Sequence, residues 1–255
     1  MNNKEEMIKG FEDTILSIKK SRAYQEYCNI KYGYPLRLLN MLSKEDIYEI
    51  INMTKNESKK TIIELGCGTG ELIELIAANE KLECFGLENS KRVIDYLEKN
   101  KAHNNVHYIL GDMDDDKWVN KKYDMIFVID SLYFVENIES TTTRLISSLS
   151  KEGVAVVYFT EYKFQSDGDA WKDATKNSFG KILEKEKVKY EYKDITDREM
   201  ASWNNVLKYS EEFKGKFEEE KFSDMLNTNI DEATFLLEKY KETGGKRFRY
   251  MIKNA

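Results

Sequence analysis

Three carboxylates and three glycines stand at intervals that suit recognition of a nucleoside. Gly66, Gly68 and Gly70 alternate within TIIELGCGTGELIELI, Thr61 to Ile76, and Glu64 stands just ahead of them. Glu88 follows 22 residues after Gly66 in CFGLENS, and Asp112 lies in YILGDMDD. A backbone without Cβ atoms can lie against a ligand and adopt the positive φ values of a tight turn. An acidic group at the position of Glu88 can accept hydrogen bonds from both hydroxyls of a ribose. Asp112 can accept one from an adenine amino group while Met113 packs on the ring, and Glu64 can act on an ammonium through the loop backbone or a water. Cys67, inside the turn, reads as a small packing residue, with no base near it in sequence to make it a nucleophile.

The residues around the turn narrow the ligand. A triphosphate loop needs GxxxxGK[ST], whereas Glu71 and Leu72 follow Gly70. A dinucleotide turn is GxGxxG with a pyrophosphate on the helix N-terminus; this turn is GxGxG, and Glu71 and Glu74 occupy the first helical turn, where they satisfy the dipole and repel phosphate. A ligand with an adenosine and an amino acid tail but no phosphate meets these demands, and S-adenosylmethionine is such a ligand. The ribose-binding carboxylate alone does not separate the two cofactors.

A second group of residues falls where an acceptor would sit. Asp130, Ser131 and Tyr133 follow one apolar run, and Tyr158, Glu161 and Tyr162 lie in or just after the next. Asp130, Tyr133 and Glu161 are the catalytic candidates, because a buried carboxylate at a strand end needs a task or a partner. Tyr24, Tyr133, Tyr162 and Trp203 are candidate walls of an acceptor pocket, each with a competing role in packing; for Tyr24, Tyr27, Tyr32 and Tyr34 core packing competes with an aromatic wall facing a cation. His103 and His107, the two histidines, precede or open a strand and so fall at the wrong end of a sheet for catalysis. Asp114, Asp115 and Asp116 read as a solvated loop; no metal site is expected.

The elements that must position these groups follow from periodicity. From Thr61 the chain alternates: strand 61–65, helix 71–78, strand 82–87, helix 91–100, strands 106–110 and 123–129, helix 138–149, strand 153–160. Nearly continuous apolar strands alternating with helices imply a parallel sheet covered on both faces, a doubly wound α/β fold. Upstream, Met7, Phe11, Ile15 and Ile18 recur at helical spacing, and Ser43 with Asp46 forms a capping box; the tyrosine-rich stretch between them carries no assigned element. Downstream, a helix around 170–186 precedes VKYEYKDIT, a strand by its valine and tyrosines. Thr196 with Glu199 reads as another capping box, opening a block of roughly three helices over Trp203, Leu207, Phe213, Phe217, Phe222, Met225, Phe235, Leu236 and Tyr240. Gly244 and Gly245 stop it, and KRFRYMIKN reads as the last strand. The expected organisation is an N-terminal helical cover over 1–60, a cofactor-binding domain over 61–196, a helical insertion over 197–243 and a final strand within 244–255.

Taken together, IIELGCGTG, GLE, LGD, YDMIFVIDSLYFV and LSKEGVAVVYF resemble the ordered motifs of a class I S-adenosylmethionine-dependent methyltransferase over about residues 61–160. IDSLYFV, VVYFTEY and the tail GKRFRYMIK resemble bacterial small-molecule methyltransferases with a helical insertion before the last strand. The resemblance implies a Rossmann-like, mostly parallel seven-stranded sheet. It places cofactor contacts on Glu64, Gly66, Cys67, Gly68, Gly70, Glu88, Asp112, Met113 and the backbone near Ile129. It implies transfer of a methyl group to a small-molecule acceptor by in-line displacement, with a base needed only for some acceptors: Asp130, Glu161 or a tyrosine. The alternatives are a protein or peptide methyltransferase and a non-catalytic cofactor-binding subunit. With a formal net charge of -6 the chain lacks the basic footprint of a nucleic-acid binder, and IDSLYF replaces the [DN]PP[FYW] of nucleic-acid amino-methyltransferases. No membrane span is visible, and three scattered cysteines suggest neither disulfides nor zinc, so a reducing cytoplasm is expected.

Overall fold

Side chains alternate across a strand, and here that alternation sorts the apolar residues into two layers. In β1 (Thr61–Leu65) Ile62 faces one way and Ile63 and Leu65 the other; in β4 (Tyr123–Ile129) Met125, Phe127 and Ile129 oppose Ile126 and Val128; in β5 (Leu149–Thr160) Val156 and Tyr158 oppose Ala155, Val157 and Phe159. The first set packs with helices α2 (Arg22–Tyr32), α3 (Lys44–Thr54), α4 (Glu71–Ala77), α8 (Thr196–Glu219) and α9 (Ser223–Thr243). The second packs with α6 (Ile138–Ser147) and α7 (Ser178–Glu186). In the computed structural model, which describes residues 3–55, 60–161 and 169–254, these layers sandwich one sheet.

Among the described residues the sheet has seven strands in the order β3-β2-β1-β4-β5-β7-β6, with β2 (Glu83–Glu88), β3 (Val106–Leu110), β6 (Lys189–Asp194) and β7 (Arg247–Lys253). β7 runs antiparallel to β5 and β6; the β1–β2, β1–β4, β2–β3 and β4–β5 pairs are parallel. This is the doubly wound α/β fold that the pattern predicts, with the Rossmann-like, mostly parallel sheet that the resemblance implies. Strand order reverses direction at β1, where Leu65 pairs with Leu87 on one side and Val128 on the other. The turns that follow β1, β2 and β4 therefore open onto the same space, the crevice where ligands bind in such sheets.

Around this frame α1 (Asn3–Ile18) lies against α5 (Lys91–Asn100), with Ile15 packed on Cys67, Val93 and Leu97. The Ser43–Asp46 capping box forms as expected, and Ser90 caps α5 by accepting from Val93 N. Several boundaries differ from the sequence reading. The tyrosine-rich stretch folds as α2, capped by Ser21 and ended by Gly33 in the left-handed region. The region 170–186 divides into a short 3-10 turn, Ala170–Lys172, and α7, because Asn177 caps a fresh start by accepting from Gly180 N. The block after β6 holds two long helices instead of three, with the break at Lys221, φ +56, and Phe222. Thr196 and Glu199 form no capping box: Thr196 bonds Asp194 and Arg247 N, and Glu199 points into the protein. No helix among the described residues is long and apolar enough to cross a membrane.

Candidate functional site

A cavity of about 630 Å³ opens above β1, β2 and β4 and runs under α1, α2, α8 and α9. One half lies over the glycine turn. Gly66 N and Cys67 N both donate to Leu87 O at 2.9 Å, which ties the turn to β2. Gly66, Gly68 and Gly70 have φ of +74°, +49° and +70°. Their missing side chains serve different ends. A Cβ on Gly66 would lie 2.7 Å from Ser131 Cβ, and one on Gly70 would lie 2.6 Å from Tyr108 Oη. A Cβ on Gly68 would meet nothing nearer than Ile15 Cδ1 at 3.9 Å. Gly68 thus fronts the cavity, whereas Gly70, expected as a cofactor contact, lies off it and makes room for β3.

The carboxylates are placed with care. Glu64 is buried at the head of the turn; its Oε2 has no hydrogen-bond partner, and burial pushes its pKa up to about 8, only partly offset by the Ile73 amide. An unpartnered buried carboxylate oxygen is costly unless something meets it. Glu88 ends β2, where its Oε1 accepts from Ser90 N at 2.9 Å and its Oε2 from Gly68 N at 3.3 Å, and burial raises its pKa. Asp112 follows β3 and accepts from Asp114 N at 3.1 Å; Met113 and Ile129 are buried against the same space. The acidic run beyond them is built into the fold: Asp114 accepts from Glu136 N and Thr141 Oγ1, and Asp116 pairs with Arg144. Glu71, expected to repel phosphate, is neutralised by Lys19 at 2.9 Å and Arg37 at 3.0 Å, so the helix N-terminus carries less negative charge than the sequence suggests.

In the other half Asp130 and Tyr133 do meet, but as members of a network. Asp130 stands directly after β4 with φ +51°, and both its oxygens pair with Arg247 of β7, at 2.7 and 2.8 Å. It also accepts from Met41 N at 2.9 Å and from Tyr133 Oη at 3.3 Å. Arg247 is buried and lies 3.8 Å from Glu199. Burial would lower its pKa, but Asp130 and Glu199 outweigh burial and raise it. Glu199 is buried too, which raises its pKa against the pull of Arg247, and it accepts from Trp203 Nε1 at 3.2 Å and from Tyr240 Oη. Tyr24 lines this half as a ring, since its hydroxyl donates to Leu38 O.

Two candidates are not here. Glu161 lies off the cavity and accepts from Ser178 N at the start of α7, the face opposite the expected one. Tyr162 falls outside the described residues. The sequence reading missed Lys31, Asn229, Glu232 and Arg247, all of which line the cavity. A signal existed for two: Asn229 and Glu232 interrupt the stripe Met225, Asn229, Glu232, Leu236, whose spacing puts all four on one helix face.

A family model for a methyltransferase domain matches residues 56–227. The malonyl-[acyl-carrier protein] O-methyltransferase of Acetivibrio thermocellus is 22% identical over 137 residues, 53% of this chain and 44% of that protein. The (S)-tetrahydroprotoberberine N-methyltransferase of Eschscholzia californica is 28% identical over 108 residues, 41% of this chain and 31% of that protein. The chain thus spans less than half the length of these relatives. Among solved structures, Phospholethanolamine N-methyltransferase 2 of Haemonchus contortus, in complex with phosphomonomethylethanolamine and S-adenosylhomocysteine, has the same fold at a TM-score of 0.62 and 13% identity, covering 95% of this chain and 60% of that one.

Proposed function

The chain belongs to the methyltransferase domain family, and from that premise we propose that it transfers a methyl group from S-adenosylmethionine to a small-molecule acceptor. The observation that carries the cofactor is Glu64, whose buried Oε2 lacks a partner at the head of a glycine turn that Gly68 leaves open. An ammonium supplies what that oxygen lacks, and the cofactor has one. Glu88 holds the ribose hydroxyls, Asp112 the adenine amino group, Met113 and Ile129 the ring faces, and the backbone of Gly66, Cys67 and Gly68 the amino acid tail. When bound, S-adenosylmethionine supplies a methyl group on a sulfonium that leaves as a neutral thioether.

The chain's own part is positioning and the exclusion of water, which can supply a large share of the acceleration. Asp130 and Tyr133 border the acceptor chamber, but Arg247 and Met41 N already engage both oxygens of Asp130. Asp130 is therefore a positioning residue that fixes Tyr133 at the chamber wall. The roof of α1, α8 and α9 suits a small acceptor better than a peptide chain. Three unpaired cysteines, Cys28, Cys67 and Cys84, accord with a reducing cytoplasm.

Calorimetric titration of the wild type and of Glu88→Ala with S-adenosylmethionine, S-adenosylhomocysteine and NAD tests the cofactor. Saturable binding of the first two, weakened roughly 10- to 100-fold in the mutant by loss of a charged hydrogen-bond acceptor, is the expected result. Binding of NAD alone would sink the reading.

A further inference from the structure

The acceptor half of the cavity holds three polar groups that the protein itself leaves unmatched. Lys31 on α2 makes no ion pair among the described residues: its Nζ donates to Met41 Sδ at 3.7 Å and lies over the rings of Tyr32 and Trp203, 4.8 and 5.6 Å from their centroids, contacts that leave its charge without an anion. Asn229 Nδ2 on α9 is buried without a hydrogen-bond partner. Glu232, three residues further along the same helix, lines the cavity with its side chain exposed and makes neither hydrogen bond nor ion pair among the described residues; partial desolvation raises its pKa. By contrast the charges of Asp130, Glu199 and Arg247 pair with one another, although Arg247 Nε keeps no hydrogen-bond partner. A buried amide nitrogen without a partner is costly, and an ammonium and a carboxylate that line the same cavity without an ion pair are free to meet the charges of a ligand.

Their arrangement says what that ligand carries. Asn229 and Glu232 share one face of α9 by their spacing, and Lys31 lines the same chamber from α2. The two charges sense each other across it: burial lowers the pKa of Lys31, opposed by Cys28 and then Glu232, and Lys31 is the group that most opposes the rise at Glu232. They do not close into an ion pair, so a gap separates an anion-binding from a cation-binding side. Trp203, Met225 and Leu236 supply apolar wall beside them.

Resting on the methyl-transfer reading, we propose that the acceptor is a zwitterion of the amino acid class, its carboxylate held by Lys31 Nζ and Asn229 Nδ2 and its amino group by Glu232. An acid without an amine leaves Glu232 unmatched, and an amine without an acid leaves Lys31 and Asn229 unmatched; only a molecule with both completes all three.

The test is calorimetry on the full chain with saturating S-adenosylhomocysteine, titrating the twenty common amino acids and, for each that binds, its decarboxylated amine and its deaminated acid. The expected result is at least one binding amino acid whose affinity falls tenfold or more when either charged group is removed. Lys31→Met and Glu232→Gln should each weaken that amino acid at least tenfold while leaving S-adenosylhomocysteine affinity within twofold, which shows that the variants are folded. The proposal is overturned if no amino acid binds while S-adenosylhomocysteine does, or if the truncated analogues bind as well as the parent. Failure of S-adenosylhomocysteine itself to bind would bring down the cofactor reading, and the zwitterion with it.

Discussion

Glu64 links the pH behaviour of the ligand-free protein to that of its complex. Its folded pKa of about 8 stands above the ordinary 4.5, so between those values the folded state holds a proton that the unfolded state has released. Stability is then full below the lower value and is lost as pH rises through the upper one, with a slope of up to about 1.4 kcal/mol per pH unit from this group. Urea unfolding at intervals from pH 5 to 8 should show this loss, and Glu64→Gln should flatten it; an unchanged slope would remove the group from the account. The complex makes the converse demand. An ammonium beside Glu64 favours the carboxylate, so S-adenosylhomocysteine binding at pH 7 should release up to one proton, measured as the buffer dependence of the binding enthalpy, and release less in the Gln variant. The glycines separate in the same way. Gly70→Ala places a methyl against Tyr108 and Leu97 at positive φ, and should destabilise the fold by about 1–3 kcal/mol. Gly68→Ala instead projects toward the cavity and should weaken S-adenosylhomocysteine at least as much as it lowers the melting temperature. The alternation of glycines was legible in the sequence; which of them borders the ligand was not, since it depends on Tyr108 and Ser131, residues distant along the chain.

Between α8 and α9 the limits of sequence patterning show most clearly. The apolar residues from Trp203 to Tyr240 fit helices, but nothing in FEEEKFSD marks the end of α8: no glycine or proline stands there, and Lys221 takes the left-handed conformation instead. The capping box at Thr196 and Glu199 is mimicked by residues whose side chains turn to Asp194 and Arg247. A polar residue drawn inward by a partner from another element cannot be told from a capping residue by spacing alone. The sheet was easier to read, because buried parallel strands announce themselves as apolar runs bounded by turns. Two phenylalanines test the helical pair. Phe217 is fully buried and Phe235 is 55% exposed, though the pattern treats them alike. Phe217→Ala should cost about 3–5 kcal/mol through cavity formation, and Phe235→Ala within about 0.5 kcal/mol, by urea denaturation. Arg247 pins this pair to the sheet. Arg247→Met leaves Asp130 and Glu199 buried without their cation and should cost about 3–5 kcal/mol, largely recovered when Asp130→Asn and Glu199→Gln are added.

Across the whole molecule the cavity is closed by elements of unequal strength. The acceptor side is roofed by α8 and α9, packed on α2 through Tyr24, Tyr27, Phe213 and Phe217. The cofactor side is roofed by α1, whose Phe11, Glu12 and Ile15 line the cavity. Its attachments are slight: Ile15 packs on Cys67, Val93 and Leu97, Glu12 bonds Ser90 Oγ, and Glu12 and Asp13 pair with a largely exposed Arg92. Exposed ion pairs contribute about 0–1 kcal/mol, and apart from Ile18 at its end, which joins the main core, α1 is held by the Ile15 cluster and a Phe11–Phe134 ring contact, so its earlier turns belong to the low end of local stability. A ligand that fills the space beneath it adds contacts on the very face that lacks them. S-adenosylhomocysteine at a hundred times its dissociation constant should stabilise the fold by about 2.7 kcal/mol, and it should oppose local opening of α1 by up to the same amount. Amide exchange over residues 10–18 should slow at least tenfold on saturation, while the central amides of β1 and β4, already protected to the limit of global unfolding, shift only with overall stability. No slowing in α1 would mean that opening the helix leaves binding intact and that the ligand lies clear of it.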